Sequence, residues 1–223
     1  MRRRLYLMRH AAVAYVDGDG KPVRPQTVGI TDEGREQAAQ AAAALAGVSF
    51  DRVITSGLRR ALETARIVAP DAEVESWPAF EELQPARLEG YSWHEVEAAF
   101  TRAFAGDMTP DRPFLGGETI GSLLDRVVPA LEQLVADPGW DTALAVLHGG
   151  VNRAILTYAL TGQPGFFGDF EQAPACINVI DIGDDRWIVR AVNVVPYDLI
   201  HARSRLTTME ELWAQFEPFR GQV

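Results

Sequence analysis

The sequence predicts an α/β fold: three layers, α/β/α, on a mostly parallel central sheet with one antiparallel edge strand and a helical insert over the ligand-binding end. Three observations carry this expectation. Short apolar runs at residues 5–8, 52–55 and 142–147 have strand length, and stretches with helical spacing follow them. Two of these runs end in a histidine, His10 and His148, and the carboxyl ends of strands are where open α/β sheets bind ligands. Near the end, residues 177–182 and 187–195 flank Gly183-Asp184-Asp185-Arg186 and read as a β-hairpin at the sheet edge, one strand of which should run antiparallel.

Taken in order, residues 5–8 form the first buried strand, and residues 12–26, with Gly18, Gly20, Pro22 and Pro25, form a loop on the ligand side. Thr31-Asp32-Glu33 opens a helix with a hydroxyl at the cap and acids in its first turn, and the alanine-rich run to Gly47 carries it over the sheet. Residues 52–55 are the second strand, and Ser56-Gly57 turns into a helix near Leu58 on which Arg60 and Thr64 share a face. Residues 77–90 lack periodicity and hold Glu81, Glu82 and Glu89. Residues 92–104 read as an amphipathic helix with Trp93, Val96 and Phe100 as its core stripe and His94 solvated or capping. The Gly- and Pro-rich stretch 105–117 closes this insert, roughly 92–117, before a longer helix that Pro129 should kink or break. Residues 142–147 are the third strand, a helix spans 151–160 up to Gly162, and a last helix falls near 208–216.

Composition narrows the class of protein. The 223 residues are 47% hydrophobic and 23% charged, which suits one domain over 1–223 with a large core. No apolar run approaches the roughly 18 residues of a membrane helix, and Met1-Arg2-Arg3-Arg4 leads into too short a run for a signal peptide, so a cytoplasmic protein without a membrane partner is expected. The single cysteine, Cys176, excludes an internal disulfide and reads as a core residue. A net charge of -10, from 21 basic and 31 acidic residues, argues against a nucleic-acid partner and opposes long-range attraction of phosphates. A phosphate site would therefore need local cations. Arg9 and Arg60 are the candidates, with Arg59 and Arg87 as additions.

The chemistry concentrates at the two strand ends. Arg9 offers a planar fork of donors to phosphate oxygens, and a neutral imidazole at His10 is a nucleophile. At the other strand end, His148-Gly149-Gly150 lets the backbone turn tightly before a helix whose amino terminus favours anions. Both histidines could face a single phosphate.

In these motifs the chain resembles the histidine phosphatase superfamily, in its phosphoglycerate mutase-like branch. The Arg-His-Gly signature appears as Arg9-His10-Ala11, and the Ser-x-Leu-x-Arg-Ala-x-x-Thr-Ala block as residues 56–65. The acid-bearing segment runs from Glu82 to Gly90, the second histidine is His148, and weaker echoes fall at Asn178 and Asn193. The resemblance implies transfer through a phosphohistidine on His10 without a metal or other cofactor. Arg9, Arg60 and His148 would bind the phosphoryl oxygens, with Gly149 among the substrate contacts. His148 would be protonated and His10 neutral, while Glu82 would protonate the leaving oxygen and then activate the acceptor. Where the family places polar ligand contacts early in the first loop, this chain has Ala12, Val13 and Val16.

The substrate so implied is a small phosphomonoester, and Phe80, Leu88, Tyr91, Trp93 and Phe114 either line its mouth or form core beneath the insert. Rival readings are a cofactor-dependent phosphoglycerate mutase, a non-catalytic phosphometabolite-binding module, and a metal site on His10 and His148. The last is weak because no further ligand motif accompanies the two histidines. Natural substrate and oligomeric state are open at this point.

Overall fold

The structure is a computed structural model that describes residues 2–18, 23–86 and 90–219. Its centre is a six-stranded sheet made of β1 (Arg3–Arg9), β2 (Arg52–Thr55), β3 (Val74–Ser76), β4 (Thr142–Leu147), β5 (Ile177–Ile182) and β6 (Trp187–Val194), in the order β3-β2-β4-β1-β5-β6. β1, β2, β3 and β4 pair parallel, and β5 runs antiparallel to both β1 and β6. The expected hairpin thus takes one edge, with β5 as the reversed strand and β6 outermost. β3 takes the other edge. It was not foreseen, because Val-Glu-Ser carries no apolar run; pairing with β2 and the Arg52–Glu75 ion pair (2.5 Å) make it a strand.

The pleat sorts the core into two layers. Leu5, Leu7, Ile54, Ala143, Ala145 and Leu147 face one cluster, whereas Met8, Val53, Leu144 and Val146 face the other. The second cluster is closed by α1 (Asp32–Ala44) and α2 (Arg59–Val68), and the first by α4 (Ile120–Ala136) and α5 (Gly149–Thr161). Thr31 caps α1 by accepting the Gly34 N–H at 3.0 Å. α4 runs unbroken through Pro129, contrary to a break there. Pro129 and Asp125, whose carbonyl loses its partner, are both on the exposed face, where water can take the bond.

The insert contributes α3 (Trp93–Thr101), shorter than expected, opened by a reciprocal Ser92–Glu95 capping box. Its partner is the last helix, α6 (Thr208–Phe216). Trp93 and Trp213 lie 4.7 Å apart between ring centroids, and Phe100 touches both Trp213 and Phe216. Phe80 and Phe114 are buried core, Tyr91 is exposed, and Leu88 lies outside the described residues. No helix among the described residues is long and apolar enough to cross a membrane.

Candidate active site

Strand register places the two histidines. Arg9 of β1 is opposite Leu147 of β4, and the His10 N–H donates to the Leu147 carbonyl at 2.9 Å. The next side chains therefore leave the sheet together, with ring centroids 5.2 Å apart. β2 flanks β4 with Thr55 opposite Val146, which delivers Ser56 beside His148.

Each ring is oriented by its neighbours. His10 Nδ1 lies 2.8 Å from the Ala11 carbonyl, which can only accept, so Nδ1 carries the hydrogen and Nε2 keeps its lone pair. Arg60 Nε donates to that Nε2 at 3.2 Å. His148 Nε2 is 2.7 Å from Ser56 Oγ, which itself accepts the Leu58 N–H. The other ring nitrogen of His148, Nδ1, is buried without a partner. Burial first, then the nearby guanidiniums of Arg60 and Arg9, hold the pKa of His10 well below the usual histidine value. Burial and Arg60 do the same to His148. The expected protonated His148 is thus not what the protein alone favours.

Arg60 is 2% exposed and is fixed at its other end to the Pro25 carbonyl, whereas Arg59 points to solvent and pairs with Glu63 at 2.7 Å. Glu63, one turn from Arg59 on α2, is held by Arg59 and by the Ile30 N–H. Thr64, one turn on, accepts the Ala11 N–H at 3.1 Å and ties α2 to the His10 turn. Arg9 Nη1 donates to the Gln172 carbonyl (2.6 Å) and to Thr208 Oγ1 (2.9 Å), while its Nε is buried and unpartnered. Unpartnered buried nitrogens on Arg9 and His148 thus lie near His10. Buried polar atoms in folded proteins nearly always have a partner, so these two are candidate contacts for a bound anion.

Glu82 closes the opposite side. Its carboxylate accepts the N–H groups of Leu83 (2.9 Å) and Gly150 (3.1 Å). α5 begins at Gly149, two residues before the position read from sequence, so both glycines belong to its first turn and Gly150 presents a helix-end donor. A Cβ on Gly149 would meet Arg153 Nη1 at 3.2 Å, Arg9 Nε at 3.7 Å and Glu82 Oε2 at 3.8 Å, so the three side chains converge there.

Three of these contributors were not read from the sequence. Arg153 is buried, bonds the Gly149 carbonyl at 3.1 Å, lies over the Phe104 ring and has its pKa lowered to about 10, chiefly by burial. An arginine one turn past Gly149 in an otherwise apolar helix was the available signal. Thr208 left none, since its contact with Arg9 spans 199 residues. Arg126 of α4 bonds the carbonyls of Ala79 and Glu81. Glu81 presents that carbonyl to Arg126, His94 is solvent-exposed, Cys176 is buried, and Arg87 and Glu89 lie outside the described residues. Among the described residues no cluster of three or more His, Cys, Asp or Glu side chains could hold a metal ion.

Fold and site together define an α/β protein with buried histidines and arginines gathered at its strand ends. The family model described as "Histidine phosphatase superfamily (branch 1)" matches residues 5–195, and the chain belongs to that superfamily. It is 33% identical over 174 residues to a glucosyl-3-phosphoglycerate phosphatase of Mycolicibacterium vanbaalenii, covering 73% of this chain and 76% of that one. It is 32% identical over 144 residues to a metal-independent phosphoserine phosphatase of Arabidopsis thaliana, covering 61% of this chain and spanning 58% of that enzyme. The crystal structure of the α-ribazole phosphatase from Shigella flexneri superposes with a TM-score of 0.68 at 28% identity, over 85% of this chain and 96% of that one.

Proposed function

We propose that this chain is a metal-independent phosphomonoester hydrolase that works through a phosphohistidine on His10. The observation that carries this reading is the fixed tautomer of His10: Nδ1 is tied to a carbonyl, and the unprotonated Nε2 faces Arg60 with two unpartnered buried nitrogens nearby. Phosphatases among its relatives support it. Imidazole held neutral is the nucleophilic form.

Attack of Nε2 on phosphorus forms the N–P bond as the P–O bond to the alcohol breaks. Arg60 then exchanges its bond to Nε2 for one to a phosphoryl oxygen, joined by Arg9 Nε and His148 Nδ1, so that donors already in place meet the charge that develops. Glu82 gives its proton to the departing alkoxide. The resulting carboxylate takes a proton from water as it cleaves the N–P bond, returning neutral His10 and inorganic phosphate. Gly149 frames the pocket beneath these groups.

A panel of phosphomonoesters assayed with chelator present, combined with rapid acid-free quench, tests this. Turnover and a trapped phosphohistidine are expected in the wild type, and both should vanish in His10→Ala. Retention of near wild-type turnover by that variant, or loss of wild-type turnover in chelator, would overturn the reading.

A further inference from the structure

We propose that Arg126, locked to Glu118, is a positioning residue that holds Glu82 in place for proton transfer, an inference that rests on the acid role given to Glu82 above. Glu82 lies in an irregular stretch between the 3₁₀ turn Pro78–Phe80 and α3. Its side chain reaches the N–H groups of Leu83 and Gly150, which register the carboxylate against α5 but leave the main chain that carries it unsupported.

That support comes from α4. Arg126 Nη1 donates to the carbonyls of Ala79 (2.8 Å) and Glu81 (2.7 Å), and Nη2 reaches the Glu82 carbonyl at 3.4 Å. The rest of the guanidinium forks onto Glu118, with Nε to Oε1 at 2.8 Å and Nη2 to Oε2 at 3.0 Å. Glu118 grips the chain on the other side of Glu82: its N–H donates to the Gln84 carbonyl at 2.8 Å, and its carboxylate accepts the Gln84 N–H at 3.2 Å. This close approach needs Gly117, where a Cβ would fall 2.1 Å from Gln84 O. One planar donor set therefore spans three carbonyls and a carboxylate, a geometry that lysine cannot copy.

A brace that served folding alone would, when weakened, depress all substrates alike. A device that places an acid acts selectively, because a shift of about 1 Å in a catalytic group costs on the order of 100-fold, and only in the step that uses it. The test compares kcat/KM for an alkyl phosphate and for an aryl phosphate with a good leaving group in Glu82→Gln, Arg126→Gln and Glu118→Gln. All three should lose activity on the alkyl ester, on the order of 100-fold for Arg126→Gln, and keep most of it on the aryl ester. The double variant E82Q/R126Q should be little worse than E82Q on the alkyl ester, since both changes remove the same proton transfer. Equal losses on both esters in the Arg126 and Glu118 variants, with Glu82→Gln still selective, would overturn the positioning role and leave the proposed function standing. If Glu82→Gln itself treats the two esters alike, the acid assignment fails and this proposal fails with it. Should Arg126→Gln not fold, Glu118→Gln, which keeps the guanidinium but frees it from its fork, carries the comparison.

Discussion

His10 and His148 sit where protonation is costly twice over: burial removes the water that would stabilise an imidazolium, and the guanidiniums of Arg60 and Arg9 already supply positive charge. The consequence for stability has a definite sign. Below about pH 6.5 the unfolded chain takes up a proton at each of these histidines and the folded chain does not, so stability falls as pH drops, by about 1.4 kcal/mol per unit for each group. The depressed carboxylates Glu63, Glu75 and Asp181 withdraw their stabilisation only as pH falls from the usual carboxylate range down through their own lower pKa values. Between about pH 5 and 6.5 the slope therefore belongs to the buried imidazoles. Urea unfolding across this window should give a visibly shallower slope in His148→Asn than in the wild type. Identical slopes would mean that His148 is charged in the folded protein.

At the scale of elements, the first turn of α5 is the tightest constraint in the site. A Cβ on Gly150 would stand 2.5 Å from Glu82 Oε1 and 2.9 Å from Leu83 Cδ1, whereas on Gly149 its nearest neighbour is the far end of Arg153 at 3.2 Å. Gly150→Ala gains helix propensity, up to about 1 kcal/mol, but overpacking typically costs about 1–3 kcal/mol, so displacement of Glu82 should win. We expect Gly150→Ala to lose alkyl phosphate turnover as Glu82→Gln does and Gly149→Ala to lose less. Steady-state kinetics on the two variants check it, and wild-type rates in Gly150→Ala would show that Glu82 is not held at this turn. The sequence made β1, β2, β4 and the helix after His148 legible because each is a continuous apolar run bounded by turn residues. The same reasoning pointed to His10 and His148 directly as strand-end histidines, but it chose Arg60 and Glu82 only with the help of family spacing, and it could not separate Arg60 from Arg59 by charge alone. β3, Arg126 and Thr208 stayed hidden for a common reason: their roles come from partners distant in sequence, and Arg126 stands beside Asp125 on an amphipathic helix, where it reads as a solvated charge.

Across the whole molecule, charge decides which phosphoryl chemistry the pocket can serve. The chain carries a net charge of -10, and Lys21, outside the described residues, is its only lysine. At the strand ends, Arg9 and Arg60 adjoin His10, while Arg153 already faces Glu171 at 3.7 Å and bonds the Gly149 and Gly168 carbonyls. Two guanidiniums without a carboxylate partner among the described ion pairs would match the two negative charges of one phosphomonoester. A mutase must also retain a bisphosphorylated intermediate while it turns over within the site, which adds about two further charges in a molecule whose overall field repels them. Such an intermediate should leave this pocket, or be cleaved by water, faster than it reorients. The chain should therefore release phosphate from simple monoesters and, given 3-phosphoglycerate with its bisphosphorylated primer, should yield free phosphate faster than the 2-phospho isomer. Following both products in one reaction checks this, and rapid isomerisation with negligible phosphate release would place the enzyme among the mutases instead.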